Sequence, residues 1–200
     1  ITSLDQLDLQ GIYTYADYLT WRFEHGVELI KGKIFRMSPA PGVRHQRISG
    51  RFYLLIGNYL QHSGCELFSA PFDVRLADRE NSSKAHQDIY TVVQPDLCAI
   101  CDQSKLDERG CIGAPDLIVE ILSPGNSKKE MKIKYQLYEE SAVAEYWVVY
   151  PFEHTVLQFV LDEAGNYFLK SAFAEDEVFN AHIFPDLQID LGKVFEEETL

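Results

Sequence analysis

Residues 117–122 read Leu-Ile-Val-Glu-Ile-Leu, an apolar run interrupted by Glu120. An ionised carboxylate inside such a strand is costly unless a cation or several donors meet it. Asp96 raises the same question inside VVQPDLCAI, where Pro95 cannot donate to a sheet ladder and implies a bulge or an edge. If the two runs are neighbouring strands, the carboxylates come together. Their repulsion is tolerable when a hard divalent cation sits between them. A structural partner is the other solution, and Lys134 is the candidate. At about 100° per residue, Glu130, Ile133, Lys134, Leu137 and Tyr138 share one arc of a helix, while Lys128, Lys129 and Lys132 project elsewhere.

Further polar residues invite the same question. His45 lies at the start of an amphipathic helix, on its inward face, where it is either a satisfied helix-start histidine or part of a site. Glu28 sits in a short hairpin, either exposed at its edge or turned inward. Asp116, in a second Pro-Asp, reads as a strand-entry residue. Tyr135, Tyr138, Tyr146 and Trp147 have the chemistry to stack on bases, but their apolar neighbours favour core packing.

The elements that must position these residues follow from period and punctuation. Thr14 with Asp17 resembles a capping box opening a short helix to about residue 23. Residues 27–37 read as two strands turning at Lys31-Gly32. A loop at 38–42 precedes a helix with His45, Ile48, Phe52, Leu55 and Tyr59 at spacings of three and four, ending near Gly64. Strands are expected at 65–76, 89–100 and 117–122, with exposed loops at 77–87 and 102–110. A helix over about 127–140 leads into a strand at 145–151, and a hairpin turns around Ala164-Gly165-Asn166. The acidic C-terminal tail is expected to pack loosely. Strand-helix-strand near 117–150 favours a parallel pair, and the order helix, strand, strand, strand, helix, strand implies an α/β sandwich.

Composition bounds the rest. A chain of 200 residues, 46% hydrophobic and 24% charged, suits one domain with a sizeable core. No apolar run is long enough to span a bilayer and no basic-then-apolar leader is visible, so the expected address is the cytoplasm, away from membranes. Of the four cysteines, Cys98 and Cys101 form a Cys-x-x-Cys without a second close pair. In a strand that spacing points the two side chains to opposite faces, and reduced, structural thiols are expected. A net charge of -13 argues against broad, non-specific affinity for nucleic acid.

The segments VELIKGKIFRMSPAPGVRH, QPDLCAI, APDLIVEILSP, KEMKIKYQLY and AVAEYWVVYP, in this order, resemble the Uma-type restriction endonuclease family abundant in cyanobacteria, within the PD-(D/E)xK nuclease superfamily. The resemblance implies a restriction-endonuclease-like α/β fold, with a central mixed sheet flanked by helices and added hairpins. It implies a single domain over 1–200, with its core at about 42–151, an N-terminal helix and hairpin at 13–37, and a C-terminal hairpin and tail at 152–200. Asp96 and Glu120 fall on the family's catalytic and metal-holding acids. The usual lysine, two residues after the acid, falls on Leu122, and the resemblance implies its displacement to Lys134. Glu28 and His45 match accessory polar positions. The implied activity is Mg²⁺- or Mn²⁺-dependent hydrolysis of DNA phosphodiester bonds, with DNA and a second copy of the chain, as a dimer, for partners. The acidic charge and the missing strand lysine feed the alternative, a catalytically inactive nuclease-fold protein serving binding or assembly.

Overall fold

The computed structural model describes residues 1–24, 26–37, 42–76, 86–124 and 128–196. The expected loops at 38–42 and 77–87 and the start of the helix at 127 fall largely outside them. Helix α1 (Tyr15–Tyr18) opens under the Thr14–Asp17 capping box but runs only one turn. The hairpin β1 (Val27–Ile30)–β2 (Lys33–Arg36) turns at Lys31 and Gly32, both with positive φ, as a two-residue hairpin requires. Helix α2 (Val43–Leu60) follows, then β3 (Glu66–Ser69), β4 (Asp73–Arg75), β5 (Val92–Val93), β6 (Leu97–Ile100), β7 (Leu106–Asp107), β8 (Gly110–Ile112) and β9 (Leu117–Ile121). Helix α3 (Lys128–Glu140) leads to β10 (Glu145–Tyr150), β11 (Thr155–Leu161), β12 (Tyr167–Phe173), β13 (Val178–Asn180), β14 (Gln188–Asp190) and α4 (Leu191–Phe195).

Two six-stranded mixed sheets hold most of the described strands, beside a β13-β14 pair. One runs β12-β11-β10-β9-β6-β3 and the other β2-β1-β5-β4-β8-β7. Between the described strands the chain passes from one to the other five times. The strand expected at 65–76 breaks into β3 and β4 around the cis Ala70-Pro71 bond, and the one at 89–100 breaks into β5 and β6 at Pro95. Proline removes a ladder donor, so both breaks fall where the backbone leaves one sheet for the other. Part of the loop expected at 102–110 is the strand β7.

The first sheet carries the sandwich. Its β9 and β10 are parallel across α3, and β6 and β3 continue it antiparallel. Ile48, Phe52, Ile56 and Leu60 of α2 pack on one face against Leu97, Val119 and Trp147. Leu137 and Tyr138 of α3 pack on the other against Cys98, Ile118 and Tyr146. Each large side chain buried there contributes about 1.5–3 kcal/mol. Tyr138, Tyr146 and Trp147 are therefore core residues.

Two expectations fail in this region. Cys65 and Cys101 are joined as a disulfide, not reduced. The antiparallel pairing of Glu66 with Ile100 continues to set Cys65 against Cys101, a proximity that spacing along the chain does not reveal. Cys98 points to the opposite face and, like Cys111, is free and buried. The C-terminal segment is also packed rather than loose, for Phe179, Leu187, Ile189, Leu191, Val194 and Phe195 all join the core beneath α2.

Candidate functional site

The pairing of Leu97 with Val119 continues one step to set Asp96 opposite Glu120, so both carboxylates leave the sheet on the same face. Glu28 reaches them from the other sheet. Val27 and Leu29 fill the N-terminal core, and alternation along β1 turns Glu28 the other way, burying it at 6% exposure rather than leaving it on a hairpin edge. Lys134 arrives from α3, and His45 from the first turn of α2. All five line one cavity of about 140 Å³, room for several waters. Leu122, at the usual lysine position, lines the same cavity with an apolar side chain.

The contacts are specific. Lys134 Nζ donates to Glu120 Oε1 at 2.8 Å and to Glu28 Oε1 at 3.1 Å. The Tyr138 hydroxyl donates to the same Glu120 oxygen at 2.6 Å. The backbone N–H of Ile121 donates to Asp96 Oδ2 at 2.7 Å. His45 Nε2 lies 3.0 Å from the Ile121 carbonyl and 3.3 Å from Asp96 Oδ1. Both are acceptors, so Nε2 carries the proton. Its other nitrogen, Nδ1, is buried without a hydrogen-bond partner among the described residues.

Electrostatics follow from burial and from the count of charges. Burial pushes Glu120 up to about 7, and the neighbouring carboxylates of Asp96 and Glu28 add to the shift against the opposing pull of Lys134. Burial alone would lower Lys134, but Glu120 and Glu28 outweigh it and hold the side chain as an ammonium. Burial also works against a charged His45, whose pKa is nonetheless raised by its contacts with Asp96 and Ile121. Three carboxylates thus face one ammonium and one histidine.

Among the described residues no group of three or more His, Cys, Asp or Glu side chains could hold a metal by itself. Asp96, Glu120 and the Ile121 carbonyl bring oxygens to the cavity instead, the Ile121 oxygen and Asp96 Oδ1 both accepting from His45 Nε2. Hard oxygen donors, excess negative charge and space for water fit Mg²⁺, which keeps several waters in its shell. Two contributors escape the sequence. The Ile121 carbonyl belongs to the backbone of an apolar residue. Gln94, whose N–H donates to Glu28 Oε1 and whose amide donates to Asp73 Oδ1, is a neutral residue with no periodic signal beyond its place before Pro95-Asp96. The hydroxyl of Tyr138 belongs to a residue that reads as core packing on the helical arc of Lys134. Asp116 accepts from the Cys101 N–H at 2.8 Å, a strand-entry bond.

A relative from Synechocystis sp. (strain ATCC 27184 / PCC 6803 / Kazusa), described as "Uncharacterized protein slr1290", is 27% identical over 131 residues, or 64% of this chain. The match spans 63% of that relative's own length, less than two thirds of it. Among solved structures, the crystal structure of "a putative nuclease belonging to DUF820 from Anabaena variabilis ATCC 29413" has a TM-score of 0.69 at 20% identity, covering 92% of this chain and 97% of that one. That likeness establishes a restriction-endonuclease-like fold. The model of the Uma2 family, described as "Putative restriction endonuclease", matches residues 15–192, and with most of its length so covered the chain belongs to that family.

Proposed function

We propose that this protein is a divalent-cation-dependent endonuclease that hydrolyses DNA phosphodiester bonds at the cavity between Asp96, Glu120 and Lys134. The observation that carries the reading is the shortage of positive charge, for Glu28 and Glu120 share one ammonium while Asp96 faces His45 in the same cavity. Asp96 and Glu120, with the Ile121 carbonyl, would hold Mg²⁺ or Mn²⁺, which when bound would polarise the scissile phosphate. In the reaction water attacks phosphorus and releases a proton to solvent as the bond to the leaving oxygen breaks, and that oxygen takes up a proton from solvent in return. Lys134, held protonated, orients the water and offsets the negative charge that grows on the phosphoryl oxygens. Glu28 holds the ammonium from the other sheet, and Tyr138 fixes the Glu120 carboxylate. His45 orients Asp96.

One observation favours the second reading, a catalytically inactive binding or assembly protein. Glu120 Oε1 already accepts from Lys134 and Tyr138, so that oxygen is satisfied without any ion. Calorimetry with Mn²⁺ separates the two. Weak binding by the wild type and none by an Asp96→Asn, Glu120→Gln double variant supports the enzyme. Equal heats from both proteins would make the acids structural.

A further inference from the structure

We propose that His45 holds the attacking water of the reaction through its second ring nitrogen, Nδ1. The role in a reaction rests on the nuclease reading above; the presence of a water at Nδ1 does not. Along the inner face of α2, Ile48, Phe52, Ile56 and Leu60 are apolar, and His45 is the polar exception, only 8% exposed. It lines both the acidic cavity and a groove beside it that also borders Gln94 and Asp96. One nitrogen is committed. Nε2–H serves the Ile121 carbonyl at 3.0 Å and Asp96 Oδ1 at 3.3 Å, which fixes the ring and leaves the lone pair on Nδ1. That second acceptor is buried and meets no donor among the described residues. If support of Asp96 were the whole task, a glutamine amide would perform it. The imidazole adds an acceptor on its other side.

A buried lone pair without a donor is unfavourable, and water is the donor that fits. The donors that meet the carboxylates are already engaged with them. Tyr138 gives its hydroxyl to Glu120, the Ile121 N–H goes to Asp96, and Gln94 uses its backbone N–H on Glu28 and its amide on Asp73. Lys134 places two of its three N–H groups on Glu120 and Glu28, and the third remains. A cation at Nδ1 fits less well, because the oxygens of Asp96 and Ile121 that suit one border the other nitrogen. The cavity of about 140 Å³ has room for several waters. A water that gives one O–H to Nδ1 and takes the remaining N–H of Lys134 is held from both sides and keeps a lone pair for phosphorus. Its proton is shed to solvent as the new bond forms, in balance with the one that the leaving oxygen takes up.

The test joins a crystal structure of the wild-type protein with Mn²⁺ to the kinetics of plasmid cleavage by His45→Gln. The structure should show a water within about 3 Å of Nδ1. Glutamine can still donate to Ile121 and Asp96 but lacks the second ring nitrogen. His45→Gln should therefore melt close to wild type and bind Mn²⁺ as wild type does, while kcat falls about 100-fold with KM unchanged, as a misplaced nucleophile implies. A protein donor at Nδ1, or nothing, overturns the seat, and cleavage by wild type under that result leaves the nuclease reading standing. A water at Nδ1 with the wild-type kcat kept in His45→Gln makes that water structural and also overturns the role. Should His45→Gln fail to fold, a complex of Asp96→Asn with a short DNA duplex decides. The Nδ1 water must then lie within about 3.5 Å of a phosphorus, and a longer separation overturns the role. A wild type that binds Mn²⁺ and holds the water but cleaves no nucleic acid removes the nuclease reading and the role with it.

Discussion

At Lys134 two buried carboxylates share one ammonium, 2.8 Å from Glu120 and 3.1 Å from Glu28. Removing the cation and removing one anion are therefore unequal changes. Lys134→Met leaves both carboxylates buried without it and should cost about 3–5 kcal/mol in urea unfolding. Glu120→Gln leaves Lys134 paired with Glu28 and relieves the crowding of negative charge, so it should be tolerated or should stabilise the protein without metal. If the two variants lose equal stability, Glu120 is a structural partner rather than a ligand in waiting. At this scale the charged residues were legible, because Asp96, Glu120 and Lys134 each interrupt an apolar pattern. The Ile121 carbonyl and Gln94 were not, since neither a backbone acceptor nor a neutral amide leaves a trace in hydrophobic period.

Between elements, Arg75 of β4 crosses β8 to reach Asp107 of β7, with Nη1 3.0 Å from Oδ2 and the guanidinium fully buried. The hydrogen bond from Arg75 holds the Asp107 carboxyl below its ordinary value. A depressed carboxyl contributes stability that is fully present above its unfolded pKa, near 3.8, and is lost as pH falls through the lower folded value. Asp107→Asn should therefore melt below wild type at neutral pH, and the gap should narrow as pH falls below 3.8. A gap that stays constant in melting curves down that range would contradict the pairing. The β9-α3-β10 unit and α2 could be read from period alone, because their patterns are long and local. The division of 65–76 and 89–100 between two sheets could not. Pro71 and Pro95 mark the breaks, but which sheet each half joins is decided by distant partners.

Across the whole molecule, Glu145 ties the C-terminal segment to the central sheet. It is fully buried, and its carboxylate accepts from Trp147, Gln158 and the backbone N–H groups of His182 and Ile183. Four sets of donors satisfy the charge without a cation. Glu145→Ala would strand them and should cost about 3 kcal/mol or more, read by denaturant unfolding; a loss under about 1 kcal/mol would mean the segment is held by its apolar contacts alone. The acidic composition of this segment hid Phe179, Leu187, Ile189 and Leu191, whose burial depends on the sheet they meet and not on their neighbours in sequence. No helix among the described residues is long and apolar enough to cross a membrane.

Supercoiled plasmid DNA with Mn²⁺ tests hydrolysis at the cavity of Asp96, Glu120 and Lys134 most directly. Wild type should nick or linearise the plasmid only when the cation is present. Asp96→Asn, with its fold retained by thermal melting, should abolish that activity. Cleavage that persists at the wild-type rate in Asp96→Asn, or a wild-type protein that leaves the DNA intact with Mn²⁺ bound, would contradict it.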